Sequence, residues 1–282
     1  IMTTTRIADL EAGRPAEGVF AVIRKQRRHN RNGDPFLVLE LSDESGRIEA
    51  RVWDNAEHFD RVVRVGDTVR AIGKASQYRD QLQFDVRRLE RADDGASGPL
   101  LIPTANRPLD EVVGELDFLV SDLHTPAVAE LVHHVWNGPQ RDQLVRSPAT
   151  PADHHAYVGG LVEHTVGVAS IAMAAVERHD SVNRDITLAA CLLHDVGRAR
   201  EITIGTSFTI TDAGALYGHI LLGHEMVLDA ARALKFDPEQ HAWWPQLVHA
   251  MHHHHGPLDR CRTREAQIVA SANMLDARLA TR

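Results

Sequence analysis

At 282 residues the chain is about twice the usual single-domain length, so two domains are expected. Its 43% apolar and 25% charged composition is that of a folded globular protein, which excludes a disordered, collagen-like or coiled-coil chain. The net charge of −8 argues against a bulk polyanion binder, but it is unevenly spread: residues 1–98 carry 17 basic and 17 acidic residues, the remainder 14 and 22. No run approaches the roughly 20 apolar residues of a membrane span. The first 30 residues also lack the regions of a signal peptide, so no membrane partner is expected. Two cysteines, Cys191 and Cys261, are too few for a disulfide scaffold and suit a reducing cytoplasm. Ile1 ahead of Met2 reads as a remnant of cloning.

The first part of the chain is strand-like. Gly18–Arg24, Phe36–Leu41, Ile48–Trp53, Thr68–Ile72 and Leu82–Leu89 are β-rich runs, several with period-2 alternation. Asn32-Gly33-Asp34, Ser45-Gly46 and Gly66-Asp67 supply turns between them, and a short helix is expected near Asn55–Val62. Five strands with one helix after the third is the order of an OB-fold barrel, here assigned to residues 13–91. Residues 92–107 are rich in Gly, Pro, Ser and Asp, carry no apolar period and read as a linker.

From residue 108 to 282 the period becomes helical. Leu109–Leu123, Pro126–Trp136, Leu161–His179, Ile186–His194, Ala215–Leu234, Pro238–His255 and Glu265–Leu279 carry apolar residues at i, i+3 and i+4. Apart from a weak hairpin signal over Glu201–Thr211, this domain is expected to be all α. The fold class is therefore multidomain, a five-stranded barrel followed by a helical domain.

Histidine concentrates in the second part: of 18, only His29 and His58 precede residue 108. Imidazole and carboxylate together suit divalent metals. The pieces stand at helix ends: His164, His194-Asp195, His219, His254-His255 and Asp276. Leu192, Leu193 and Val196 surround the His194-Asp195 pair, and burying a carboxylate without a partner is costly. A cation resolves that cost. Each histidine alone reads as a satisfied core or surface residue; the set together reads as a metal centre. Of His252–His255, two are expected to be ligands and two bystanders. His124, His133, His134, His179, His224, His241 and His249 are read as ordinary.

The order H…HD…H…HH…D resembles the HD-domain metal-dependent phosphohydrolases. Closer still, HHAYVGGLVEHT (154–165), CLLHDVGRARE (191–201), TDAGALYGHILLG (211–223) and HHHHG (252–256) resemble the YhaM-type 3′–5′ exoribonucleases. So do residues 25–54 and 66–83 of the first domain, and the resemblance spans about residues 15–279. It implies an HD core with one or two divalent ions, manganese first, with iron, cobalt or magnesium as alternatives. His164, His194, Asp195 and Asp276 would hold the first ion. Asp195 would bridge to a second, held also by His219, His254 and His255. The same resemblance makes Asp195 a catalytic residue and His154 and His155 candidates for substrate contact. Where the family has HD-x-G-K, this chain has Arg198. An arginine can fork onto a phosphate as a second catalytic residue, or pair with Glu201 instead. The chain also ends soon after the last ligand, so a C-terminal tail is expected to be missing.

Arg24, Lys25, Arg27, Arg28 and Arg31 place five cations in eight residues, expected in the loop between the first two strands. In an OB-fold that loop and the one between strands four and five, here Gln77-Tyr78-Arg79 near Gln81 and Gln83, grip oligonucleotides. Trp53, Phe36 and Tyr78 could stack bases, although Phe36 and Trp53 equally suit a barrel core. The expected activity is metal-dependent 3′–5′ hydrolysis of single-stranded RNA, with DNA a further substrate. Direction and sugar preference rest on the resemblance. The competing readings are a nucleotide or cyclic-nucleotide phosphohydrolase, a nucleic-acid-binding protein with an inactive HD domain, and a di-iron oxygenase. A homo-oligomer is left open.

Overall fold

The alternating runs become strands of a closed barrel in a computed structural model, which describes residues 5–30, 32–78, 81–92, 101, 105, 107–205 and 207–280. The chain divides into two compact units, Ile1–Thr104 with Ile204–Thr209, and Ala105–Thr203 with Ile210–Arg282. In the first, β1 (Pro15–His29), β2 (Pro35–Asp43), β3 (Gly46–Val52), β4 (Thr68–Tyr78) and β5 (Gln81–Arg91) close in the order β1-β2-β3-β5-β4. Only β3 and β5 run parallel; the other pairings are antiparallel. Helix α1 (Ala56–Val62) lies between β3 and β4, completing the expected OB order. Every second residue points inward, so Leu37, Leu39 and Leu41 of β2 are fully buried with Phe20, Val69 and Phe84. Phe36 and Trp53 are not in that core. Trp53 is exposed and stacks on Phe36 with ring centres 4.4 Å apart.

Residues 24–28, expected in the loop after the first strand, lie on β1, which continues to His29 with Arg24 opposite Glu40 and Arg28 opposite Phe36 on β2. The turn needs only residues 30–34, because Asn30 Oδ1 accepts the backbone N–H groups of Asn32 and Asp34, both at 2.9 Å. Residues 24–28 therefore sit on a strand and alternate between its faces.

The helical unit contains α2 (Leu109–Ser121), α3 (Pro126–Asn137), α4 (Arg141–Arg146), α5 (Gly160–Val176) and α6 (Arg184–Leu193). It continues with α7 (Arg198–Glu201), α8 (Asp212–Ala233), α9 (Trp244–His252) and α10 (Arg264–Ala280). Helix α6 is central: Asp185–Leu193 are all buried, and it packs on α5, α9, α3 and α10. Its ends are pinned by polar groups. Asn183 Oδ1 accepts from Ile186 N at 3.2 Å at the start, and Trp136 Nε1 donates to Leu192 O at 2.8 Å near the end.

The chain after residue 107 is not wholly helical, and its residues Ile204–Thr209 group with the first unit. Strands β6 (Ile202–Ile204) and β7 (Phe208–Ile210) realise the weak hairpin signal. The segment expected as one helix over Pro238–His255 instead forms a short 3-10 turn and then α9, which stops at His252. His253–His255 lie in the turn after it. Among the described residues no helix is long and apolar enough to cross a membrane. The expected linker, 92–107, falls outside the described residues except at 92, 101, 105 and 107.

Candidate metal centre

Five segments of the helical unit deliver their polar side chains to one place. His164 projects from α5 and His194-Asp195 follow α6. His219 comes directly after Gly218, whose left-handed backbone (φ 73°) breaks the course of α8. His254 and His255 come from the turn after α9, Asn273 and Asp276 from α10. His164, His194, Asp195 and His254 are at most 1% exposed, while His255 is the exposed member.

Hydrogen bonds behind the rings fix their tautomers. His194 Nδ1 donates to Cys191 O at 2.7 Å and His254 Nδ1 to Met251 O at 2.5 Å. His164 Nδ1 faces the acceptor-only carboxylate of Asp276, Oδ2 at 2.7 Å, so this nitrogen carries the proton. With Nδ1 so engaged, the lone pair for a cation is on Nε2, and these atoms converge. His164 Nε2 and His194 Nε2 are 3.2 Å apart. Asp195 Oδ1 is 3.2 Å from His219 Nε2 and 3.4 Å from His254 Nε2, and His219 Nε2 is 3.0 Å from His255 Nε2.

Asp195 Oδ2 faces the other pair, His194 at 3.8 Å and His164 at 3.9 Å. Lone pairs at such distances repel unless a cation lies among them. Buried Asp195 Oδ1 and His254 Nε2 have no hydrogen-bond donor among the described residues. Leaving each such group unsatisfied costs about 1–3 kcal/mol. The donor set therefore fits one or two divalent ions, with Asp195 common to His164–His194 on one side and His219–His254–His255 on the other.

The electrostatics agree. Burial works against the Asp195 carboxylate, but Arg198 and the surrounding histidines outweigh it and hold the group well below the usual range. Burial pushes His194 well below its usual value and, with help from His164 and His155, His154 to about 4. Both rings are neutral near pH 7, as ligation requires.

Arg198 pairs with two buried carboxylates. Its Nη1 donates to Glu201 Oε2 at 2.6 Å and its Nε to Asp195 Oδ2 at 3.4 Å. Glu201 Oε1 in turn accepts His219 N at 3.2 Å. The guanidinium thus ties the α6 end of the centre to α8. Of the four consecutive histidines, His254 and His255 face Asp195. His253 donates from Nδ1 to His249 O at 3.0 Å, and His252 packs against the His224 ring.

Asp276 joins none of the three ligand-type groups found among the described residues. Its Oδ2 bridges His164 Nδ1 and His155 Nε2, the latter at 2.9 Å. His155 continues to Tyr157 Oη at 2.7 Å, which donates to Glu163 Oε2 at 2.7 Å. His154 and His155 form a third group with His164, and His154 Nδ1 is buried without a partner. Asn273 has no expected role from the sequence, and Glu201 only that of a partner for Arg198. Their signal was spacing, each three residues from a named site residue on one helical face.

On the barrel, Lys25 is a brace: its Nζ meets Asp60 Oδ1 at 3.0 Å and Val63 O at 2.9 Å. Arg27 pairs with Glu57 at 2.9 Å. Arg24 and Arg28 are exposed and form no ion pair among the described residues. Tyr78 is exposed with the Arg51 guanidinium 5.3 Å from its ring centre. Arg31 and Arg79 lie outside the described residues.

Comparison with known proteins gives the following. The HD domain family matches residues 161–278, and the OB-fold nucleic acid binding domain family matches residues 19–92. A "3′-5′ exoribonuclease YhaM" from Listeria innocua is 30% identical over 285 residues, covering 97% of this chain and 88% of the relative. The protein of that name from Bacillus velezensis is 28% identical over 277 residues, 95% of this chain and 87% of the relative. Among solved structures, the second OB-fold domain of replication protein A from Methanococcus maripaludis aligns with 34% of this chain and all of that one, at 19% identity and a TM-score of 0.28.

Proposed function

Because this chain belongs to the YhaM 3′–5′ exoribonuclease family, we propose that it shortens single-stranded RNA from the 3′ end by metal-dependent hydrolysis of phosphodiester bonds. The observation that carries the reading is the convergence of imidazole nitrogens on Asp195, whose Oδ1 no donor among the described residues satisfies. Bound divalent ions supply an activated water and neutralise charge developing on the phosphate. Imidazole with few carboxylates favours manganese over magnesium, with iron and cobalt as competitors.

The protein's own contribution is placement. His164 and His194 would hold one ion and His219, His254 and His255 a second, with Asp195 within reach of both. Arg198 and Glu201 keep the two sides in register, and Arg198 reaches substrate only through that placement. His154 and His155 are the substrate-side candidates, His154 with a ring nitrogen that no described protein group meets. On the barrel, Arg24 and Arg28 neutralise phosphates while Trp53 and Tyr78 offer aromatic faces to bases. Such a surface suits a strand and is superfluous for a mononucleotide.

The test is purified protein with Mn²⁺ and 5′-labelled single-stranded RNA, run beside nucleotides and cyclic nucleotides. A ladder that shortens from the 3′ end, lost in Asp195→Ala with RNA binding retained, is expected. Phosphate release from nucleotides with intact RNA would transfer the chain to the small-molecule reading. Binding without cleavage would make it a binding protein.

A further inference from the structure

The exposed edge of the metal centre adjoins an aromatic ring that has no partner. His164, His194, Asp195 and His254 are at most 1% exposed, whereas His255 is exposed and its Nε2 meets His219 Nε2 at 3.0 Å. A phosphate therefore reaches the ligand set past the His219–His255 edge. Two residues before His219 stands Tyr217, and two residues of chain span at most about 7 Å. Tyr217 is 58% exposed and Leu216 beside it 78%. The Tyr217 side chain forms no hydrogen bond or ring contact among the described residues. Resting on the exonuclease reading above, we propose that the Tyr217 ring is a stacking platform for a nucleobase next to the scissile phosphate.

The backbone between the two residues supports this. Gly218 has φ 73°, yet a Cβ placed on it would meet no atom within 4 Å. Crowding does not force the turn, and the space beside it, between the tyrosine and the metal-facing histidine, is open. The turn aims His219 at Asp195 and leaves Leu216 and Tyr217 in water, where their apolar surface gains nothing from folding. One exposed apolar side chain is ordinary; two adjacent ones at the rim of a charged site point to a ligand with an apolar face.

The chemistry of the site points the same way. The side chains gathered around Asp195 are imidazoles, a guanidinium, an amide and carboxylates, which serve a phosphate and its ions but not a base. The nearby Tyr157 is already engaged, between His155 Nδ1 and Glu163 Oε2, both at 2.7 Å. Stacking on a tyrosine tolerates every base, because each has a π-face. An enzyme that removes successive nucleotides needs that tolerance.

The experiment is the first cleavage of 5′-labelled single-stranded RNA by the full chain with Mn²⁺, comparing wild type, Tyr217→Phe and Tyr217→Ala. Three strands are used: one unmodified, one abasic at the 3′-terminal nucleotide and one abasic at the penultimate nucleotide. Mn²⁺ stoichiometry by EPR and oligomeric state by gel filtration are recorded for each protein. Tyr217→Ala should raise KM for the unmodified strand about 5–150-fold, the worth of one stacked base, with kcat changed far less. Tyr217→Phe should stay near wild type. On one of the two abasic strands the penalty of the alanine should vanish, because the base that the ring would hold is gone.

A wild-type KM in Tyr217→Ala, a phenylalanine variant as poor as the alanine, or a penalty that persists on both abasic strands overturns the proposal. Loss of an ion in Tyr217→Ala also overturns it, by making the residue part of the frame of the metal centre. A changed oligomeric state with KM unaltered would assign the ring to a contact between copies instead. A wild-type chain that leaves RNA intact removes the exonuclease reading itself, and this proposal with it.

Discussion

Gly197, in the turn that follows the His194-Asp195 pair, offers a way to move the centre without touching a ligand. Its backbone angles are ordinary helical values (φ −63°, ψ −17°), so alanine meets no conformational penalty there. The penalty is contact. A Cβ would lie 2.0 Å from His219 O and 2.5 Å from Gly223 N, both on the α8 backbone. Comfortable separation is near 3.5 Å, so α8 must retreat by roughly 1 Å or more, and no side-chain rotation can absorb the clash. Overpacking of this kind costs about 1–3 kcal/mol. In a unit of this size that lowers Tm by roughly 2–12 °C. Because α8 carries His219, the same retreat misplaces a metal-facing ring, and a misplacement of 1 Å is worth on the order of 100-fold in rate. Thermal melts of the metal-free chain and RNA-shortening rates with Mn²⁺ measure the two effects. An alanine variant with both wild-type melting and wild-type turnover would falsify the view that this close approach positions the centre.

Arg198→Met strands the Asp195 and Glu201 carboxylates in a buried site, so stability should fall by roughly 3–5 kcal/mol in urea unfolding, and Arg198→Lys should fall less. A Met variant as stable as wild type would show that the clamp is not structural. Neutralising Arg24 and Arg28 together should weaken binding to long RNA and reduce the salt slope by about 1.4, at roughly 0.7 per released phosphate contact on single strands. An unchanged slope would remove these two from the interface. For pH, His154 falls from 6.5 to about 4 and His194 is also depressed on folding. The unfolded chain therefore binds more protons between those values, and stability is full above pH 6.5 and declines as pH falls towards 4. Unfolding of metal-stripped protein across this range checks the sign; stability rising on acidification would contradict it.

The strands were legible where one face is buried, since alternation survives in residues such as Leu37, Leu39 and Leu41. It was not legible through Arg24–Arg28, where both faces of β1 are polar and Lys25 is held by Asp60 from another element. Helix α4 is only six residues long, too short for a period. The His and Asp positions stood out because charge or imidazole amid Leu192, Leu193 and Val196 has no cheap alternative. The direction in which each side chain points is a different matter. Asn273 and Asp276 share a helical face yet meet opposite nitrogens of His164, and what separates them is the His254 carbonyl and the Gly167 backbone, both distant in sequence. Arg198 was ambiguous for the same reason, because Glu201 acts on it jointly with Asp195 and His219.

The ligand-type groups that face the centre are imidazoles and a single carboxylate, Asp195. With Asp276 behind His164 and Arg198 offset by Glu201, two divalent ions in such a cage leave about two unbalanced positive charges in a buried site, where charge is felt strongly. A phosphodiester is then more than a passenger, because it completes the charge balance. Coupling between sites is reciprocal: whatever factor the ions add to RNA affinity, RNA adds to ion affinity. The chain is accordingly expected to hold its ions most tightly while a strand occupies the site and to exchange them most readily between substrates. Metal supply would then act on the idle enzyme and leave the working one largely untouched.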